Sequence, residues 1–184
     1  IDVPVPGPGE VLVRVARAGM GINDPAIFRG EWPIEHARPV VAGHEFVGVV
    51  EALGDGAGSH HGVALGDRVI AEQVVPCRAC YDCQRGWYNL CERPLFFGLN
   101  LDGGWAEYMI FPANAIVHRL PEEISFAAAT ALESTACAIY TVERGALRLG
   151  ETVVVLGGGF LGLLMVQVAR LRGVGLVIYC EDDE

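Results

Sequence analysis

Four cysteines fall within fifteen positions, Cys77-Arg-Ala-Cys80-Tyr-Asp-Cys83 and then Cys91, separated by two, two and seven residues. Nothing else in the chain constrains its folding so tightly, because thiols at this spacing can close one loop around one ion. Tetrahedral Zn2+ takes four thiolates from such a loop. A closed four-thiolate shell leaves no position for substrate, so the site is structural rather than catalytic. Two disulfides or an iron–sulfur cluster would draw on the same residues. The other two cysteines, Cys137 and Cys180, fall in a predicted helix and a predicted strand, where they read as small buried hydrophobes.

Around that loop the chain has two textures. Up to about residue 121, short apolar runs are broken by Gly and Pro, with strands predicted over 10–15 and 46–51 and a turn feeding a strand in each of 65–71 and 103–111. Val11, Val13 and Val15 alternate with Leu12, Arg14 and Ala16, as on a strand with one mostly buried face. Residues 18–25 and 54–62 read as loops. This pattern predicts an all-β barrel or sandwich for residues 1–121. Beyond Pro121, Ser125 can cap a helix through 126–132, and more helix follows to Arg144. Then come a buried strand over 151–156, a glycine turn, a helix and a strand over 175–180. That is one βαβ unit, so residues 122–184 form the start of a doubly wound parallel sheet and the fold class is mixed β and α/β. The chain opens on Ile1 and stops where such a sheet would need further strands, so it reads as a piece of a longer protein.

The glycine turn, Gly157-Gly-Gly159-Phe160-Leu161-Gly162, sits between strand and helix, the context in which this pattern binds a dinucleotide. The glycines admit a pyrophosphate, and the helix start offers free N–H groups. An acid at the end of the second strand should bind the ribose hydroxyls; Glu181, with Asp182 beside it, is the candidate. An acid there favours NAD over NADP, because it repels a 2′-phosphate.

His44 and Glu45 adjoin at the mouth of a strand, and Glu133 is an acid in an apolar helical stretch. A buried carboxylate is expensive unless paired or metal-bound, so these three are candidate ligands of a second, open metal site. Asp24 could hold His44 from behind and fix its tautomer. Singly, each also reads as a core histidine or a surface charge. His60 and His61 lie in a glycine-rich loop and read as solvent-exposed, while His36 and His118 carry no spacing signal. Trp87, Tyr88, Trp105 and Tyr108 read as packing around the cysteine loop.

With 52% hydrophobic and 20% charged residues the chain reads as globular, and a net charge of -10 excludes a nucleic-acid surface. No apolar run reaches membrane-spanning length and no signal peptide opens the chain, so a soluble cytoplasmic protein is expected.

The order of Gly43-His44-Glu45, Gly66-Asp67-Arg68-Val69, the four cysteines, Gly103-Gly104-Trp-Ala-Glu-Tyr108 and the glycine turn resembles the medium-chain dehydrogenase/reductase family, the zinc-containing alcohol and polyol dehydrogenases. The resemblance implies a GroES-like β-barrel carrying two zincs and a Rossmann domain for NAD(P), in a homo-oligomer of longer chains. Ala131-Leu-Glu133 is similar to the sorbitol and threonine dehydrogenase branch, where that glutamate lies in the catalytic zinc site. Two positions depart from the pattern. Gly21 stands where the family's cysteine ligand is expected, and Asn23 stands where a hydroxyl would relay the alcohol proton. That Gly-x-Asn loop resembles the zinc-free quinone oxidoreductase branch, in which Asn23 would position substrate.

The function expected is therefore NAD-dependent oxidation of a polyol or secondary alcohol, with His44, Glu45, Asn23 and Asp24 at the reacting centre. A zinc-independent quinone or enone reductase, or a silent relative keeping only structural zinc, are the alternatives.

Overall fold

The computed structural model describes residues 2–32 and 39–181, so His36 and Asp182 lie outside the described residues. The chain divides into two compact units, 1–130 and 131–184.

In the first unit, β1 (Val11–Ala18) pairs antiparallel with β2 (Phe46–Leu53), and α1 (Asn23–Arg29) and the short α2 (Ala57–His61) lie outside the sheet. Beyond them come β3 (Arg68–Ala71) and β4 (Val74–Val75), then α3 (Tyr81–Gln84) and a 3-10 turn over Tyr88–Leu90. The unit continues with β5 (Leu95–Phe96), β6 (Tyr108–Phe111), β7 (Val117–Arg119) and α4 (Phe126–Ala129). Five strands form one antiparallel sheet in the order β6-β1-β2-β3-β7. The sheet is open at β6 and β7, so the barrel expected from the sequence is not closed among the described residues.

The core lies on the sheet face carrying Val11, Val13, Val50, Val69, Met109 and Phe111. Phe46, Phe97 and Phe111 meet there with ring centroids 5.0–5.7 Å apart. Each buried ring contributes roughly 1.5–3 kcal/mol by area, and each ring pair about 0.5–1.5 more. Leu12 is buried on the opposite face as well, where α4 packs against β1 and β2. Ser125 caps α4 through Oγ, which accepts the Ala128 N–H at 3.1 Å. Arg68 ties this segment down: its guanidinium donates to the carbonyls of Pro121, Glu122 and Ile124 and stacks over Phe126 at 4.3 Å. Those contacts hold residues 121–126 to the first unit.

β4 and β5 form a separate two-stranded ribbon, pairing Val74 with Phe96 and Val75 with Leu95. The cysteine loop is the excursion that this ribbon closes at its base.

In the second unit, α5 (Leu132–Arg144) packs on α6 (Phe160–Leu171), which connects β8 (Thr152–Leu156) to β9 (Leu176–Cys180). The two strands are parallel, in register from Thr152↔Leu176 to Leu156↔Cys180. Ala138, Val142 and Val168 form the core between the helices, with Leu147, Leu164 and Met165 against them. β8, expected to be buried, is covered only at Val155, and Leu171 on α6 is exposed. Cys137 and Cys180 are exposed too, not buried as their apolar surroundings suggested, because only part of this unit's helix and strand surface is packed. No helix among the described residues is long and apolar enough to cross a membrane.

Candidate functional site

The cysteine loop brings its four thiols together. Cys77 follows β4 after Pro76, Cys80 caps the start of α3, Cys83 lies within it, and Cys91 caps the end of the 3-10 turn. All four sulfurs lie within 4.8 Å of one another, and the pairs Cys77–Cys83 and Cys80–Cys91 are 3.9 and 4.0 Å apart. A tetrahedron with Zn–S bonds near 2.3 Å has edges of about 3.8 Å, so the donor set fits one such ion. A disulfide needs about 2.05 Å, and all four cysteines are free. The N–H groups of Ala79 and Cys80 hold the Cys77 thiol down to about 6, and the Cys80 thiol is lowered by the N–H of Glu92. Burial, with the neighbouring thiols, pushes Cys83 up to about 12. Thiols this close cannot all ionise without a cation between them, which is what a bound metal provides.

Arg78 anchors the loop with a backbone φ of 59°. Its guanidinium donates to the carbonyls of Asn114 and Ala115 and stacks over Tyr88.

The second cluster of the first unit is built on the Gly43-His44-Glu45 turn. Asp24, His44 and Glu45 are its buried charged residues, at 6%, 6% and 9% exposure. Asp24 lies in the first turn of α1. Its Oδ2 accepts the Gly21 N–H at 2.6 Å, and its Oδ1 lies 3.4 Å from His44 Nδ1. His44 Nδ1 is buried and makes no hydrogen bond of good geometry. Glu45 lies against Gly19, whose N–H donates to the Glu45 carbonyl at 2.6 Å. A Cβ on Gly19 would stand 2.2 Å from Glu45 Oε2.

Gly21 edges both carboxylates. A Cβ there would meet Glu45 Oε1 at 3.6 Å and Asp24 Oδ2 at 3.7 Å, ordinary contact distances. The position where a thiol is expected is therefore a cradle with room for a side chain aimed at the cluster. The remaining donors are an imidazole and carboxylates, a set that suits a divalent metal without sulfur. Asn23, half-buried, is the first residue of α1. Glu133, half-buried in the first turn of α5, belongs to the second unit, where its Oε1 lies 3.5 Å from Cys137 Sγ.

The turn carrying His44 is clamped from a direction that sequence reasoning missed. Gly103, Gly104 and Trp105 donate their N–H groups to the carbonyls of Val41, Gly43 and Ala42. The Trp105 indole lies on Gly43, and its Nε1–H donates to the Gly19 carbonyl at 2.9 Å. Trp105 thus packs on the His44 turn rather than on the cysteine loop. The signal was Gly-Gly-Trp itself, two residues without side chains where backbones approach closely.

In the second unit, Gly157 takes φ 98° and donates its N–H to the Cys180 carbonyl at 2.9 Å. Gly159 precedes α6, and Phe160, Leu161 and Gly162 form its first turn. A Cβ on Gly162 would lie 2.0 Å from the Gly157 carbonyl oxygen, so helix and turn approach as only glycine permits. The free N–H groups at this helix start face anions favourably. Glu181 follows β9 and accepts the Tyr179 hydroxyl at 2.9 Å.

Comparison with known proteins supplies the deciding observation: the alcohol dehydrogenase GroES-like domain matches residues 7–122. The chain belongs to that family. It is 38% identical to an erythritol/L-threitol dehydrogenase of Mycolicibacterium smegmatis, over 97% of this chain and 52% of that protein. It is also 38% identical to an L-threonine 3-dehydrogenase of Pyrococcus furiosus, over 100% of this chain and 52% of that one. The structure of an acetophenone reductase from Geotrichum candidum in complex with NAD superposes with TM-score 0.87 at 27% identity, covering 100% of this chain and 53% of that chain. The chain spans about half the length of the curated relatives it matches.

Proposed function

We propose that the protein carrying this chain is an NAD-linked dehydrogenase that oxidises a polyol or secondary alcohol to a ketone by hydride transfer. The observation that carries this reading is the buried cluster of Asp24, His44 and Glu45. Three ionisable side chains withdrawn from water are expensive, and such groups concentrate where chemistry is done. The relatives named above act on erythritol, L-threitol and L-threonine, which favours a small hydroxylated substrate.

In this reading His44 and Glu45 hold a divalent metal together with Glu133, whose part rests on the Ala131-Leu-Glu133 pattern. A metal bound there supplies a Lewis acid at the alcohol oxygen. Asp24 Oδ1 is the acceptor facing His44 Nδ1 at 3.4 Å, and a proton held on that nitrogen would leave Nε2 as the metal-ligating atom. Asn23 orients the substrate from the start of α1. The Gly157–Gly162 turn and the first turn of α6 would take the pyrophosphate and Glu181 the ribose hydroxyls, and NAD held there would supply the hydride acceptor. Cys77, Cys80, Cys83 and Cys91 hold a structural zinc. A cytoplasmic location belongs to the same reading, since a reducing compartment keeps the four thiols available to zinc, and a homo-oligomeric assembly rests on the family resemblance.

Gly21 favours a second reading, a metal-independent quinone or enone reductase, because it offers the cluster no side-chain donor. One assay separates the two. On the first reading, full-length protein forms NADH when given NAD with polyols or secondary alcohols, and His44→Ala abolishes turnover while NAD still binds. Enone-dependent NAD(P)H oxidation that survives His44→Ala would select the reductase, and absence of both activities in folded protein would overturn either.

A further inference from the structure

The dinucleotide fingerprint accounts for glycine at positions 157, 159 and 162, but not at 158. The structure supplies a reason. A Cβ on Gly158 would lie 0.9 Å from Glu181 Oε2 and 2.0 Å from the Tyr179 hydroxyl oxygen. The carboxylate and the phenol therefore both rest on the middle of the turn, in space that a side chain at 158 would take. They arrive there together because positions two apart on a strand share a face. β9 holds its register with β8 up to Leu156↔Cys180, and the Gly157 N–H to Cys180 carbonyl bond carries that register into the turn. The Tyr179 hydroxyl donates to Glu181 Oε2 at 2.9 Å.

We propose that Tyr179 is the positioning residue that fixes cofactor choice: its hydroxyl pins the Glu181 carboxylate over Gly158, so that one oxygen is held and the other faces an incoming ribose. This rests on the dinucleotide reading above and adds to it the group that sets NAD against NADP. A pinned, ionised carboxylate accepts a ribose hydroxyl through its unheld oxygen. A free carboxylate can swing aside from a 2′-phosphate, whereas a pinned one meets it with its full charge. Tyr179 is exposed; partial desolvation where the hydroxyl rests on the turn, and then the facing Glu181 carboxylate, raise it above the usual phenol range, so it remains a donor at physiological pH. Gly158 is the third member of the device, because any larger residue would push the carboxylate off the turn.

The test is fluorescence titration of full-length protein with NADH and with NADPH, in wild type and four variants. The wild type should prefer NADH. Tyr179→Phe should narrow that preference roughly three- to tenfold, the scale of one ordinary solvent-exposed hydrogen bond. Gly158→Ala should narrow it as well while leaving both Tyr179 and the charge in place, which keeps the test open if one variant folds poorly. Glu181→Gln should narrow it, and adding Tyr179→Phe to that variant should change nothing further. An unchanged preference in both Tyr179→Phe and Gly158→Ala overturns the proposal. So does a Tyr179→Phe effect that persists in the Glu181→Gln background, which would mean the phenol touches the cofactor itself, and so does a wild type that prefers NADPH. If neither dinucleotide binds the wild type, the dinucleotide reading falls as well.

Discussion

Gly43→Ala should damage the His44 turn on two counts, backbone strain and a clash with Trp105. Gly43 is buried at φ 93°, a backbone region that side chains rarely adopt. Holding alanine there costs about 1–3 kcal/mol in strain. Its Cβ would also stand 2.3 Å from Trp105 Cδ1 and 2.7 Å from Nε1, against a rigid ring rather than the end of a flexible chain. The indole must move, and its hydrogen bond to the Gly19 carbonyl is lost, at about 1 kcal/mol net. Together these give a loss of roughly 2–4 kcal/mol. Urea unfolding followed by tryptophan fluorescence reads both the midpoint and the displaced indole. Since His44 is the next residue, the variant should also bind less metal at that site while the cysteine site stays filled. A midpoint within about 0.5 kcal/mol of wild type, with an unshifted emission spectrum, would refute the clamp.

Other substitutions probe the rest of the account. Arg68→Lys should release residues 121–126, because an ammonium cannot reproduce a fork that reaches three carbonyls and an aromatic face; a loss of about 2–3 kcal/mol, with faster hydrogen exchange in that segment, is expected. Ser125→Ala should cost about 1 kcal/mol in thermal or urea unfolding by removing the cap of α4. Burial lowers the pKa of His61, whose Nε2 is bonded to the Gly9 carbonyl, so the unfolded chain takes up its proton first. Stability from this group is complete above pH about 6.5 and is lost as pH falls through the lower folded value; urea midpoints between pH 7.5 and 5 should show the decline, flatter in His61→Gln. Gly21→Cys should tighten metal binding at the His44 cluster, read by chelator competition, since a side chain there fits and adds a thiolate.

Much of this was legible from local chemistry. Four thiols at close spacing fold onto one another because the ribbon of β4 and β5 shuts the loop, and the glycine turn needs only its flanking strand and helix. Ser125 caps where its type and position suggest. What escaped depended on neighbours distant in sequence. Leu12 looked solvent-facing by alternation, yet α4, more than a hundred positions later, covers it. The start of the helix at Asn23–Arg29 fell within 18–25, which read as a loop, although proline is tolerated in a first helical turn such as the one holding Pro25. Trp105 joined the wrong site in the sequence reading, since no local pattern shows that its indole meets Gly43 and Gly19. Closure of a barrel is likewise a matter of long-range pairing, and here the sheet stays open.

The central claim is that the chain carries two metal sites, one of four thiolates and one at His44 and Glu45 that works without sulfur. Elemental analysis of extensively dialysed full-length protein tests it most directly. About two metal ions per chain are expected, falling to about one in His44→Ala and, separately, to about one in Cys80→Ser. About one ion in the wild type, lost in Cys80→Ser and untouched by His44→Ala, would contradict it.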